Sequence, residues 1–367
     1  MQKGIFAAIF GVVMAVGVST AGAEFHASDL IYVPVVAHTT GANESVWASD
    51  VMISNLEGED SIDVAMVFLP SGLRNNSYLF SDRTEWVGGR ESDNFGTVDE
   101  RLADIPPGGS IVLEDVVEAY WPENSGLGGM GALIVFSYLA DSLEDDGSRE
   151  FRNISVSSRT FNTGTLWEPD PDNEGEFIQS EVTYGQMLNG VPWYNLADSA
   201  FVSDQGDFSY LVLDGARENE EFRYNIGVVN TSDRQTTLIM KIEPIQPDGQ
   251  PFLFENETPM FVTVTLPPLA HVQYFQIFSS VFQLTDVAQA RFKISIEQWS
   301  TTGTDPHPTF TAYGSLVDNG SNDPTTYLPT FEYPYNVDCM WPTDDGSGEP
   351  KMYGSERRAL EIPEARP

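Results

Sequence analysis

The sequence predicts an all-β chain: two antiparallel β-sandwiches in tandem, followed by an extended C-terminal tail. Three observations predict it. The chain repeats itself, with WASDVMISNL at Trp47–Leu56 answered by FRYNIGVVNT at Phe222–Thr231. Short β-branched and aromatic runs are separated by Gly, Pro, Asn and Asp at sandwich-like intervals, with little helical periodicity. Finally, 41% of the 367 residues are hydrophobic and 12% aromatic, which suffices for two ordinary cores.

Met1-Gln2-Lys3, an apolar run from Ile5 to Val18 and the small residues Ser19–Ala23 form a basic n-region, an h-region and an A-x-A cleavage site. Residues 1–23 are therefore expected to be a signal peptide. The run is short for a membrane span, which needs about 20 residues, so no span is expected in the mature chain.

The first sandwich is expected over residues 30–190. It opens on Ile31–Val36. Val51–Ser54 and Ile62–Leu69 follow, joined by a hairpin turn at Glu57–Asp60. Ile62–Leu69 is apolar on both faces, as a central strand would be. A polar excursion from Asn75 to Arg101 carries Tyr78, Phe80, Trp86 and Phe95 and reads as an ordered surface loop or an extra hairpin. After a double-proline turn come the strand Ser110–Leu113 and a short helix, Glu114–Ala119. Ala132–Ser137 and Ile154–Ser158 are expected to pair with each other across the acidic loop Asp141–Glu150. The stretch Thr163–Tyr184 reads as a second enlarged loop and Val191–Phe208 as a linker.

The second sandwich, residues 207–332, repeats the plan through Asn225–Val229, Thr236–Ile242, Phe261–Leu266, Val272–Phe275, Ala290–Ile296 and Thr311–Val317, with a short helix near Gln276–Val281. The punctuation repeats too. Pro70-Ser71-Gly72 matches Pro247-Asp248-Gly249, and Pro106-Pro107 matches Pro267-Pro268. Residues 333–367 are broken by prolines and read as a tail, with a short helix at Ser355–Leu360.

This punctuation resembles that of secreted bacterial proteins built from tandem immunoglobulin-like β-sandwich units. The likeness rests on VPVVAHTT, FLPSG, IPPGGSIVLEDV and ISVSSRTFNTG in the first half and on YNIGVVN, PDGQP, LPP and AYGSLVDNGSNDPTTYLP in the second. It covers Tyr32 to Pro329. Its motifs are turns and strand edges. The resemblance implies an immunoglobulin-like fold and export, and no activity is assigned to such proteins.

Charge and cysteine content narrow the function. The formal net charge is −37, from 18 basic and 55 acidic residues. Such a field repels nucleic acid and anionic lipid, so partners are expected among extracellular proteins or glycans. A single cysteine, Cys339, excludes an intrachain disulfide and is expected to be inert.

Catalytic signatures are weak. The four histidines are His26, His38, His271 and His307, and no serine sits in a G-x-S-x-G elbow. His271 falls where the first half has Ser110 and reads as a turn or strand residue. A glycosidase needs two carboxyls roughly 5 to 9.5 Å apart, and among so many acids no pair stands out. No zinc spacing occurs. Calcium is the one candidate cofactor, because it takes oxygen ligands on a bendable loop. Asp170, Asp172 and Glu174 alternate in such a loop, and a plain solvated loop is the other reading. Trp86 and Trp167, in polar surroundings, are the candidate ligand-binding rings, since exposed aromatics stack on sugars. Trp47 is expected in the core. The sequence thus predicts a non-catalytic secreted or cell-envelope structural or adhesive module. A carbohydrate-binding module is the alternative and a glycan-acting hydrolase the next.

Overall fold

The computed structural model describes residues 27–41, 46–124, 129–140, 142, 149–169, 177–198, 210–244, 260–305 and 307–332. The expected signal peptide, the calcium loop Asp170–Glu174, Cys339 and the C-terminal tail lie outside them.

The protein is all-β. Its first half contains β1 (Leu30–Ala37), β2 (Thr39–Thr40), β3 (Val46–Asn55), β4 (Ile62–Pro70), β5 (Trp86–Gly88), β6 (Thr97–Val98), β7 (Ser110–Leu113), β8 (Met130–Leu139), β9 (Ile154–Pro169), β10 (Phe177–Asn189) and β11 (Val191–Pro192). One sheet runs β11-β1-β8-β4-β5-β6, and the other runs β10-β9-β3-β2, with β7 beside β3. The second half contains β12 (Ala197–Asp198), β13 (Tyr210–Glu218), β14 (Phe222–Asn230), β15 (Thr236–Pro244), β16 (Phe261–Leu266), β17 (His271–Tyr274), β18 (Val287–Trp299), β19 (Thr309–Asp318), β20 (Pro324–Tyr327) and β21 (Thr330–Glu332). Its sheets run β16-β15-β18-β13-β21 and β12-β19-β14-β17, with β20 beside β19.

The two halves share one plan. The order β1-β8-β4-β5 recurs as β13-β18-β15-β16, and β10-β9-β3-β7 recurs as β20-β19-β14-β17. The repetition extends to single hydrogen bonds. Asn55 ends β3, and its Nδ2 donates to the carbonyls of Asp60 and Ile105. Asn230 ends β14, and its Nδ2 donates to the carbonyls of Arg234 and Pro267. Each satisfies buried backbone where the chain crosses between sheets. The helices α1 (Val116–Tyr120) and α2 (Ile277–Ser280) both follow a left-handed residue, Asp115 (φ 42°) and Gln276 (φ 48°). The backbone N–H of each donates to a β-strand side chain, Asp50 and Asn225 respectively.

Within each half the two sheets face each other across an apolar layer. In the first it includes Val33, Val51, Ile53, Val64, Phe68, Leu133 and Val135. In the second it includes Leu213, Ile226, Val228, Met240, Phe292 and Ile294. Each such side chain, fully buried, contributes about 1.5–3 kcal/mol. β4 is buried at every position. Its second face is covered by Leu79, Trp86 and Phe95 of the excursion, by Leu196, and by Val229 and Leu269 of the second half. The exception on that face, Asp63, pairs with Arg90 (2.5 Å), which also reaches Asp104 (2.6 Å). Burial raises the pKa of Asp63, and the bond from Arg90 opposes the rise.

Several expectations are corrected. Glu57–Asp60 is no hairpin turn, because β3 and β4 lie in opposite sheets. β8 and β9 do not pair for the same reason. Residues 163–169 and 177–184 continue β9 and β10 as antiparallel partners, with Thr163 opposite Thr183. The excursion holds 3-10 turns and the parallel pair β5–β6. Residues 191–198, read as a linker, are bonded to both halves, β11 to β1 and β12 to β19.

Candidate functional site

The outer face of the sheet β20-β19-β14-β17 is a grid set by strand register. Side chains two residues apart share a face. Gly227 on β14 lies opposite Gln273 and Tyr313. One row further, Asn225 lies opposite Ser315, which in turn faces Thr326. In the last row Arg223 and Pro324 flank Val317. This face meets the open end of the first sandwich. Between them lies a cleft of about 340 Å³, at the lower end of ligand-site sizes.

Its floor is apolar: Val35, Leu188 and Tyr313 are buried together, with Met130 packed on them. The Tyr313 ring lies flat across Gly227, where a Cβ would fall 2.0 Å from Cε1, so only glycine fits. The phenol donates to Oε1 of Gln273 (2.6 Å), and its oxygen lies 3.2 Å from Nε2 of His271. His271 is fully buried, and Nδ1 has no hydrogen-bond partner. Burial depresses its pKa to about 3, so the ring is neutral. Around the rim stand Trp47 and the exposed Phe275. Arg223 is half-buried, and its Nη1 and Nη2 donate to Oδ1 of Asn319 (2.9 Å) and Asn322 (2.8 Å).

Hydrogen bonds cross the seam on both flanks of the cleft. On one flank Gln186 brackets the backbone of Thr326, accepting from its N–H and donating to its carbonyl at 3.2 Å. Beside it Asn162 Nδ2 donates to the carbonyl of Asn322 at 2.7 Å. On the other, the N–H groups of Gly72 and Leu73 donate to the carbonyl of His271. There the buried Asn76 donates from its backbone to Pro268 and from Nδ2 to the Leu269 carbonyl (2.8 Å).

The residues singled out in the sequence do not converge here. Trp86 is corrected from ligand ring to core: it is 1% exposed, its Nε1 donates to the carbonyl of Leu79, and it stacks against Phe95. No face remains open to a sugar. Trp167 falls on β9. Trp47, expected in the core, is half-buried and lines the cleft, because the first sandwich is open at that end. His271 is a strand residue, as its place after the double proline suggests. His38 pairs through Nδ1 with Asp115 at 2.7 Å. Ser49, near it in sequence, is committed to the Ala37 N–H and the Thr160 hydroxyl. Among the described residues no group of three metal-ligating side chains occurs. No described helix is long and apolar enough to cross a membrane.

Sequence reasoning missed Arg223, Gln186, Asn162 and Asn76. Each acts through a residue far away in the chain, so no local spacing marks it. Fold and cleft together define an all-β protein with a ligand-sized cavity between two sandwiches. Family models, curated proteins and solved structures give no match to the chain.

Proposed function

We propose that the chain is an exported, non-catalytic module of two immunoglobulin-like sandwiches that holds the inter-sandwich cleft toward an extracellular ligand or partner. The observation that carries this reading is the hydrogen bonding on both flanks of the cleft. It fixes the walls before anything binds, and a preformed site avoids an ordering cost on association. The apolar floor with a few convergent polar groups has the make-up of a binding pocket.

Two measurements test it. The mature chain recovered outside the cytoplasm should begin at Glu24; retention of Met1 in the cytoplasm would remove export. Ser315→Trp fills the middle of the cleft. Ligands found by thermal-shift screening should stop binding to this variant, and ligands indifferent to it would place the site elsewhere. Carbohydrate binding is the second reading, favoured by Trp47 and Phe275 on one rim. A glycan signal lost on Trp47→Ala would promote it, and a signal surviving that change would remove it.

A further inference from the structure

The cleft bears a guanidinium that makes no direct ion pair among the described residues, although Asp318 acts on its charge through space. Arg223 reaches two acceptors, the side-chain oxygens of Asn319 and Asn322, and both are neutral. Among the described residues no ion pair involves Arg223, although Arg90, Arg101, Arg149, Arg152 and Arg291 all pair with acids. Asp318 favours the charge of Arg223 from a distance and accepts on Oδ1 from the N–H groups of Gly320 and Ser321. The two amides fix the guanidinium plane, and three of its five N–H donors remain for a ligand. An oriented guanidinium with no hydrogen-bonded carboxylate can receive a planar anion.

The remainder of the cleft sets the body of that anion. Along β14 the Arg223 row lies four residues from Gly227, the glycine beneath Tyr313, a separation of about 13 Å at strand rise. Over that distance the wall passes from polar to the apolar floor of Val35, Leu188 and Tyr313. A ligand that uses both ends is elongated, charged at one end and apolar at the other. We propose that the cleft is a receptor for a medium-length monocarboxylate, its carboxylate paired with Arg223 and its apolar tail lying on Val35, Leu188 and Tyr313. This assignment rests on the reading of the cleft as the binding site.

Isothermal titration with octanoate and with octanamide, its uncharged analogue, tests the assignment on the full chain. Octanoate should bind at least tenfold more tightly than octanamide. Arg223→Gln should weaken octanoate ten- to a hundredfold and leave octanamide unchanged. Arg223→Lys, which keeps the charge and loses the fork, should fall between them. The melting temperatures of both variants should match the parent, which separates loss of pairing from loss of fold. Equal affinity for the two ligands, no binding of octanoate, or octanoate binding unaffected by Arg223→Gln overturns the carboxylate assignment. If octanamide still binds and Ser315→Trp abolishes it, the cleft survives as a site of another specificity. If Ser315→Trp changes neither, the cleft reading itself fails.

Discussion

At residue scale, equivalent positions in the two halves show what context does to one backbone. Gly108 and Leu269 occupy the same point of the double-proline turn, and both have positive φ, 67° and 51°. Gly108 is exposed and takes that conformation freely. Leu269 is 1% exposed against the first half. Its left-handed strain of about 1–2 kcal/mol is outweighed by a buried leucine side chain, worth about 2–5 kcal/mol on truncation. Leu269→Gly should therefore destabilise the protein, by about 1–3 kcal/mol in urea titration; a stabilised variant would mean strain dominates.

His271 gives a second prediction. Its ordinary pKa of 6.5 is depressed to about 3 by burial. Above pH 6.5 both folded and unfolded states are neutral there, and the shift has no effect. Below it the unfolded chain takes up a proton that the folded chain refuses. Stability then falls by about 1.4 kcal/mol per pH unit as pH drops toward 3. His271→Phe should remove this slope between about pH 6 and 4 relative to the parent. Parallel stability curves for the two proteins would show that His271 accepts the proton without unfolding.

At element scale, the excursion between β4 and β7 is held by a buried trio. Arg149 pairs with Asp93 at 2.9 Å, both 3% exposed, Tyr138 donates to Asp93 at 2.6 Å, and the guanidinium lies 4.2 Å from the Tyr138 ring. Asp93→Ala would leave the arginine charge buried without its partner. A loss of about 3–5 kcal/mol is expected on chemical denaturation, and a loss below about 1 would show that water reaches the site.

Strands were legible in the sequence wherever apolar residues alternate or run together, as in β4, β8 and β15. The short helices were legible within two residues of their ends. Pairing was not. A turn such as Glu57–Asp60 has the same composition whether it closes a hairpin or crosses between sheets. What decides is Asn55, whose side chain reaches Ile105 fifty residues on. The repeated Asn at the end of WASDVMISN and FRYNIGVVN was the available sign. Trp86 misled because its neighbours in sequence are polar, while its neighbours in space are Phe95 and Phe136. The cleft left no trace in either half, since each wall belongs to a different one.

At the scale of the whole molecule, the seam should make the two halves melt together. One calorimetric transition is expected, with calorimetric and van't Hoff enthalpies equal. Asn76→Ala combined with Gln186→Ala should separate it into two; a single transition in that variant would assign the coupling to the apolar contact of Val229 and Leu269.

The same contact is made by one half on the other and is not repeated on their far faces among the described residues. The first half receives its neighbour on an apolar face, with Ala65, Val67, Leu69, Ile134 and Phe136 outward from β4 and β8. The corresponding face of the second half carries Lys293 paired with Glu243 and Arg291 near Asp214. At the other end, the positions matching Val229 and Leu269 are Ser54 and Gly108. A third copy would find charge at one end and nothing to grip at the other. Repeating modules grow into fibres when every copy offers the same socket and plug; among the described residues the first half supplies the socket and the second the plug.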